Sequence, residues 1–125
     1  MEFDLTDFST AQQQAFLDLL ILAMYADGNL SAVEDERLQK LLKAMGHVDE
    51  IDRQREFDAA VTRTRPFVES IQRAKDQTLL LIKAFTTRRQ HQQVFTAVEG
   101  FMTSDGHVSS WEDALLSELR LKLKV

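Results

Sequence analysis

One octapeptide occurs twice in this chain, and that repetition constrains the fold more than any other feature. Asp27-Gly28-Asn29-Leu30-Ser31-Ala32-Val33-Glu34 returns as Asp105-Gly106-His107-Val108-Ser109-Ser110-Trp111-Glu112, with Asp35 and Asp113 following. The shared pattern is D-G-x-[LV]-S-x-x-E. The flanks agree as well: Met24 corresponds to Met102, Leu38 to Leu116 and Leu41 to Leu119. A second copy by chance is expected in roughly one in a thousand chains of this length, so duplication of a helix–loop–helix unit is the better account. Two such units in one small domain are expected to pack about a pseudo-twofold axis.

Each copy reads as the junction of two helices. Asp-Gly stops the first helix, because glycine tolerates the left-handed backbone that commonly follows a helix end. Leu30 or Val108 plugs the core beneath the turn. Ser31 and Ser109 cap the next helix, and Glu34 and Glu112 complete a Ser-x-x-Glu capping box.

The rest of the chain extends the helical pattern. Ser9 and Gln12 have capping-box spacing and open a helix at about residues 10–26. Its apolar face is wide (Phe16, Leu19, Leu20, Ala23, Met24, flanked by Leu17, Ile21 and Leu22), which implies a largely buried element. The second helix carries Leu38, Leu41, Leu42 and Met45 and ends at Gly46. Asp49 begins a third, with Ile51, Phe57, Ala60 and Val61. Pro66 suits the first turn of a fourth, with Phe67, Val68 and Ile71 after it. The apolar run from Asp76 to Phe85 is either a fifth helix capped by Asp76 or a continuation of the fourth, closed by Thr86-Thr87-Arg88-Arg89. Val94, Phe95, Val98, Phe101 and Met102 mark a sixth. Leu115, Leu116, Leu119 and Leu123 mark a seventh, whose alternating tail reads as a helix end. The glutamines at 12–14, 90, 92 and 93 read as polar helix faces or turns. The expectation is an all-α bundle of about seven helices forming a single domain over residues 1–125.

Composition narrows the function. With 125 residues, four glycines, one proline and no cysteine, the chain fits an all-β fold poorly and lacks thiol chemistry and thiolate zinc sites. The 20 acidic against 15 basic residues, net −5, argue against nucleic acid as the main partner. The start, Met-Glu-Phe-Asp, lacks the basic and apolar regions of a signal peptide, and Leu19–Ala26 is far short of a membrane span. A soluble, cytoplasmic protein is expected. No nucleophile–base pair and no glycine-rich phosphate loop stands out, so no enzyme is expected.

The motif admits two chemical readings besides its role as turn and cap. Asp-Gly, an aliphatic residue and a closing Glu match the second half of an EF-hand loop. The first half does not match, because its ligand positions hold Ala23 and Tyr25 in one copy and Phe101 and Thr103 in the other. Neither loop alone is therefore expected to bind calcium as an EF-hand does. Alternatively, a pseudo-twofold that joins the loops would bring Asp27, Glu34, Asp105 and Glu112 together. Four converging carboxylates repel unless neutralised, and a hard cation such as Mg²⁺, Ca²⁺ or Mn²⁺ is the natural partner. His107 lies beside that set, where the first copy has Asn29. His47 and His91 are isolated in sequence, and Trp111 and Tyr25 read as packing residues. The cations Lys83, Arg88 and Arg89, and separately Arg63 and Arg65, read as a solvated face. With the tail residues Arg120, Lys122 and Lys124 they also suit an acidic partner or a membrane surface.

On the segment from Ala26-Asp27-Gly28-Asn29-Leu30-Ser31 through Glu34, and its second copy from Asp105 to Glu112, the chain resembles the tellurite-resistance TerB family and its TerB-like relatives. The resemblance covers nearly the whole chain and implies an all-helical domain. It also implies that Asp27, Glu34, Asp105 and Glu112 are the functional carboxylates, of a kind suspected of binding metal. The family is associated with resistance to tellurite and other stress, through protein complexes at the inner face of the membrane. The chain departs from the family's better-known members in being short, in having Ser104 where the first copy has Ala26, and in a central region, 48–75, without a matching motif.

Overall fold

The structure is a computed structural model that describes residues 5–27, 32–102 and 110–124. Among these residues all regular structure is helical: α1 (Thr10–Asp27), α2 (Ala32–Ala44), α3 (Glu50–Thr64), α4 (Ile71–Leu81), α5 (Arg88–Met102) and α6 (Ser110–Leu123). The all-α expectation holds, with six α-helices where about seven were expected.

α1 is the central element. Every residue from Ala15 to Met24 is buried, Asp18 included. A helix apolar on every face must be covered on every face, and α1 touches all five other helices, most extensively α5. The one charge in this stretch is matched. Arg63 of α3 donates to Asp18 through Nη2 at 2.9 Å and Nε at 3.2 Å. Burial raises the Asp18 carboxyl above its ordinary value of 3.8, and the Arg63 hydrogen bond and charge act against that rise.

The helix ends follow local chemistry. Gly46 has φ +103°, with Gly46 N–H donating to Lys43 C=O and His47 N–H to Leu42 C=O, both at 3.0 Å. These are the two bonds of a Schellman cap, with Gly46 in the expected position. Asp49 caps α3 by accepting from Ile51 N–H. Ser70 caps α4 by accepting from Arg73 N–H at 3.1 Å.

In the middle of the chain one expectation is corrected and one open alternative is decided. Pro66 does not open the fourth helix. It lies in a 3-10 turn, Arg65–Phe67, that prolongs α3, and α4 starts after Ser70. Proline's fixed φ suits either place, and the Ser70 cap decides between them. Asp76 caps nothing. It lies inside α4 and accepts from Gln72 Nε2 at 2.8 Å. The apolar run therefore continues the fourth helix, which ends in the 3-10 turn Ile82–Ala84.

The second correction concerns Thr86-Thr87-Arg88-Arg89, which opens α5 instead of closing the preceding helix. Thr87 Oγ1 accepts from Gln90 N–H at 3.1 Å, and Gln90 Oε1 accepts from Thr87 N–H at 3.3 Å. This is the same reciprocal box that opens α1, where Ser9 Oγ accepts from Gln12 N–H at 3.2 Å and Gln12 Oε1 from Ser9 N–H at 2.8 Å. Thr87 and Gln90 stand at the same offset from Ser9 and Gln12 that relates Asp105 to Asp27.

The two glutamines also bond each other. Gln90 Nε2 donates to Gln12 Oε1 at 3.2 Å, and Gln12 Nε2 to Gln90 Oε1 at 3.4 Å. Their remaining amide hydrogens cross over as well, Gln12 to Ala84 C=O at 2.9 Å and Gln90 to Asp7 C=O at 2.6 Å. So α1 and α5 set out side by side from one end of the molecule. Phe8, Phe16 and Phe85 pack edge to face beneath this pair, with ring centroids 5.6–6.4 Å apart. Phe16 and Val94, Leu17 and Phe95, Leu19 and Ala97, Leu20 and Val98, and Ala23 and Phe101 share the offset, and all are buried. Arg120 of α6 ties back to α5, 3.7 Å from Glu99 and 5.1 Å from the Phe95 ring centre.

Two expected outcomes follow. Gln90 is only 3% exposed, so Gln90→Ala leaves Asp7 C=O and two backbone N–H groups without partners and should cost about 2–3 kcal/mol in urea denaturation. Gln12→Ala should cost less, and the double variant should be non-additive by about 1 kcal/mol. For the buried pair, the raised Asp18 value means that its contribution to stability is full below about the unfolded value of 3.8 and declines as pH rises through the folded value. Arg63→Gln removes both influences that oppose this rise. It should cost about 2 kcal/mol at pH 7, discounted for the partial exposure of Arg63, and clearly less at pH 4. A loss equal at both pH values would contradict the assignment.

Candidate metal sites

The sequence places one candidate site in the two Asp-Gly loops. Asp27 is the last residue of α1, while Glu34 and Glu112 lie in the first turns of α2 and α6. Their side chains, and Asp105 with His107 entirely, lie outside the described residues. So do the side chains of Tyr25 and Trp111 and, entirely, the plugs Leu30 and Val108 and the caps Ser31 and Ser109.

The described residues do place the helices that carry these loops. α1 and α5 start together at the glutamine pair. Beyond their other ends, Arg37 in the second turn of α2 donates through Nη1 to the Gly100 carbonyl in the last turn of α5, at 2.5 Å. The start of α2 and the end of α5 are therefore adjacent, and both loops leave from the same end of the parallel α1–α5 pair. A charged donor also suits a carbonyl of a helix's last turn, which carries the negative end of the dipole.

A second cluster is described in full. His47, Asp52 and Glu56 each offer one donor atom, and these atoms lie within 4.8 Å of one another. The Schellman turn ends α2 at Gly46 and directs the chain so that His47 faces the first turns of α3. Asp52 and Glu56 are four apart and share a face of that helix. His47 Nδ1 and Asp52 Oδ2 are 2.8 Å apart. One imidazole and two carboxylates form a mixed donor set of the kind transition-row dications accept, although an ion must displace the His47–Asp52 hydrogen bond. Treating His47 as isolated missed this cluster. The signal that finds it is local: a glycine helix stop just before the histidine, then an Asp cap, then an i,i+4 acid pair.

His91 is held differently, with Nε2 2.8 Å from Phe85 C=O. A carbonyl only accepts, so Nε2 carries the proton. Among the described residues no helix is long and apolar enough to cross a membrane.

The described residues are all-helical, and the sequence carries its repeated Asp-Gly pattern between α1 and α2 and between α5 and α6. The profile of the family described as tellurite resistance protein TerB matches residues 13–125, and the chain belongs to that family. No curated protein and no solved structure matches the chain.

The Arg37 contact is directly testable. Arg37→Ala removes a charge-assisted bond and leaves the Gly100 carbonyl to water. It should cost about 1–2 kcal/mol, seen as a melting point several degrees lower, with faster hydrogen exchange in the last turn of α5. Unchanged exchange there would show that the contact carries no energy.

Proposed function

We propose that this TerB domain is a non-catalytic module in which one divalent cation, Mg²⁺, Ca²⁺ or Mn²⁺, joins the two loops through Asp27, Glu34, Asp105 and Glu112. The observation that carries this reading is that both loops leave one end of the parallel α1–α5 pair, with Arg37 fastening α2 to the end of α5. In this reading the two halves descend from a duplicated unit. The reciprocal Gln12–Gln90 bonds and the matching capping boxes are what a local twofold between them requires. Binding would then change the acidic end from a repelling surface to a neutralised one, which is how such a module signals to a protein partner. A part in stress response, tellurite resistance included, in the cytoplasm or at the membrane's inner face belongs to the same proposal through the family.

A second reading has its own support. The chain uses Ser/Thr-x-x-Gln boxes at 9–12 and 87–90 purely as helix caps. Ser31–Glu34 and Ser109–Glu112 have the same form and would serve the same purpose in a helical scaffold that binds only protein.

Calorimetric titration with Mg²⁺, Ca²⁺ and Mn²⁺ separates the readings. Cation binding tighter than millimolar should vanish when Asp27 and Asp105 become Asn and Glu34 and Glu112 become Gln, and should persist in His47→Ala. Cation should raise the wild-type melting point only. Absence of binding, with each cap loss costing about 1 kcal/mol of stability and no metal dependence, favours the scaffold. Loss of binding in His47→Ala alone would move the site to the α2–α3 turn.

A further inference from the structure

At the end of α5–α6 remote from the Asp-Gly loops, a groove of about 410 Å³ runs between the end of α4, the start of α5 and the end of α6. Its apolar floor is Leu79, Ile82, Phe85 and Leu123, of which the last three are core residues. Lys83, Lys122 and His91 stand on its walls. An adjoining hollow of about 250 Å³ shares His91 and Leu123 and adds Arg88 and Lys124.

Among the described residues, no acidic side chain lines either cavity. Among the described residues, ion pairs join Lys40, Arg63, Arg73, Arg89 and Arg120 to carboxylates, but none joins Lys83, Arg88, Lys122 or Lys124. Four cations divided between two adjoining hollows are a marked asymmetry in a chain of net charge −5. Lys122 and Lys124 have an ordinary explanation, since cations are favourable at a helix C-terminus. Arg88 has the opposite one. It lies in the first turn of α5, where the dipole disfavours a cation. Its neighbour Arg89 is offset by Asp7 at 3.2 Å, whereas Arg88 has no such partner among the described residues. His91 is fixed through Phe85 C=O with its proton on Nε2, which leaves Nδ1 for another contact.

We propose that this groove binds a free single-chain amphipathic anion. Lys83 and Lys122 hold its headgroup, Arg88 and Lys124 supply further positive potential, and the chain lies on Leu79, Ile82, Phe85 and Leu123. Charge complementarity selects an anion. The form of the floor selects a free molecule over a membrane face, because Ile82, Phe85 and Leu123 are recessed core residues that a slender chain reaches and a flat surface does not. The volume lies within the usual range for small-molecule sites. The inference does not depend on the cation reading, which concerns the other end of the helices.

The test is titration calorimetry of the whole chain with dodecanoate below its micelle-forming concentration. Dodecyltrimethylammonium, acetate and phosphatidylglycerol vesicles are the comparison arms. One dodecanoate should bind per chain with a Kd of roughly 100 µM or tighter. Removing two methylenes should weaken binding by up to about fifteenfold. Lys83→Gln and Lys122→Gln should each weaken it about tenfold, while Lys40→Gln, on the exposed face of α2, should leave it unchanged. NMR shifts should centre on Leu79, Ile82 and His91. Binding weaker than millimolar, equal binding of the ammonium amphiphile, or no effect of the two lysine variants would overturn the proposal. Capture by vesicles without binding of free dodecanoate would overturn it in favour of a membrane-facing surface.

Discussion

The architecture depends on a helix whose central stretch has no surface of its own. From Ala15 to Met24, α1 is buried on every side, so it cannot be stable until neighbours enclose it. Most helical stability comes from such packing rather than from propensity. That requirement organises the other five helices around α1 and makes α5 its principal neighbour. It also accounts for two of the four buried polar residues described, Asp18 and Gln90. Asp18 is tolerated because Arg63 reaches it from α3 with two hydrogen bonds. The first turns of α1 and α5 meet where their N–H groups need partners, and Gln12 and Gln90 serve both helices at once.

The same parallel pair separates the molecule's chemistry into two ends. At one end lie the helix termini that carry the duplicated acidic motif, linked by Arg37 and Gly100. At the other, near the start of α5, lie the glutamine pair and the cationic groove. Among the described residues, Lys83, Lys122 and Lys124 at that second end join no carboxylate in an ion pair. α5 connects the two ends, so a ligand at either end bears on the same helix.

Much of the fold was legible in the residues because it rests on short-range chemistry. The Gly46 stop, the Asp49 cap, the Ser9–Gln12 box and the breadth of the α1 apolar face each depend on a few neighbouring positions. The errors arose where local rules allowed two answers. Pro66 fits a helix start or a 3-10 turn equally well, and only the cap supplied by Ser70 separates them. Arg88 and Arg89 suggested a helix end by their charge. The Thr87–Gln90 box, a copy of the one read at Ser9, shows instead a helix start, at the cost of an unfavourable dipole interaction. Gly100 supplies the carbonyl that Arg37 takes. That contact joins residues far apart in the chain, which no local pattern encodes. The His47–Asp52–Glu56 cluster was readable in principle, but only by following the chain direction after a Schellman turn. The four motif carboxylates were legible as a repeated pattern in the sequence, whereas whether four side chains meet is a matter of helix packing that no local pattern encodes.

The central claim, that the two Asp-Gly loops share one cation, is tested most directly by paramagnetic broadening of amide NMR signals at substoichiometric Mn²⁺. The account predicts that amides of residues 27–34 and 105–112 broaden together, at the same Mn²⁺ concentration and with similar steepness, while those of residues 47–56 respond only at higher concentration. Broadening confined to one loop, or appearing first around His47, Asp52 and Glu56, would contradict it.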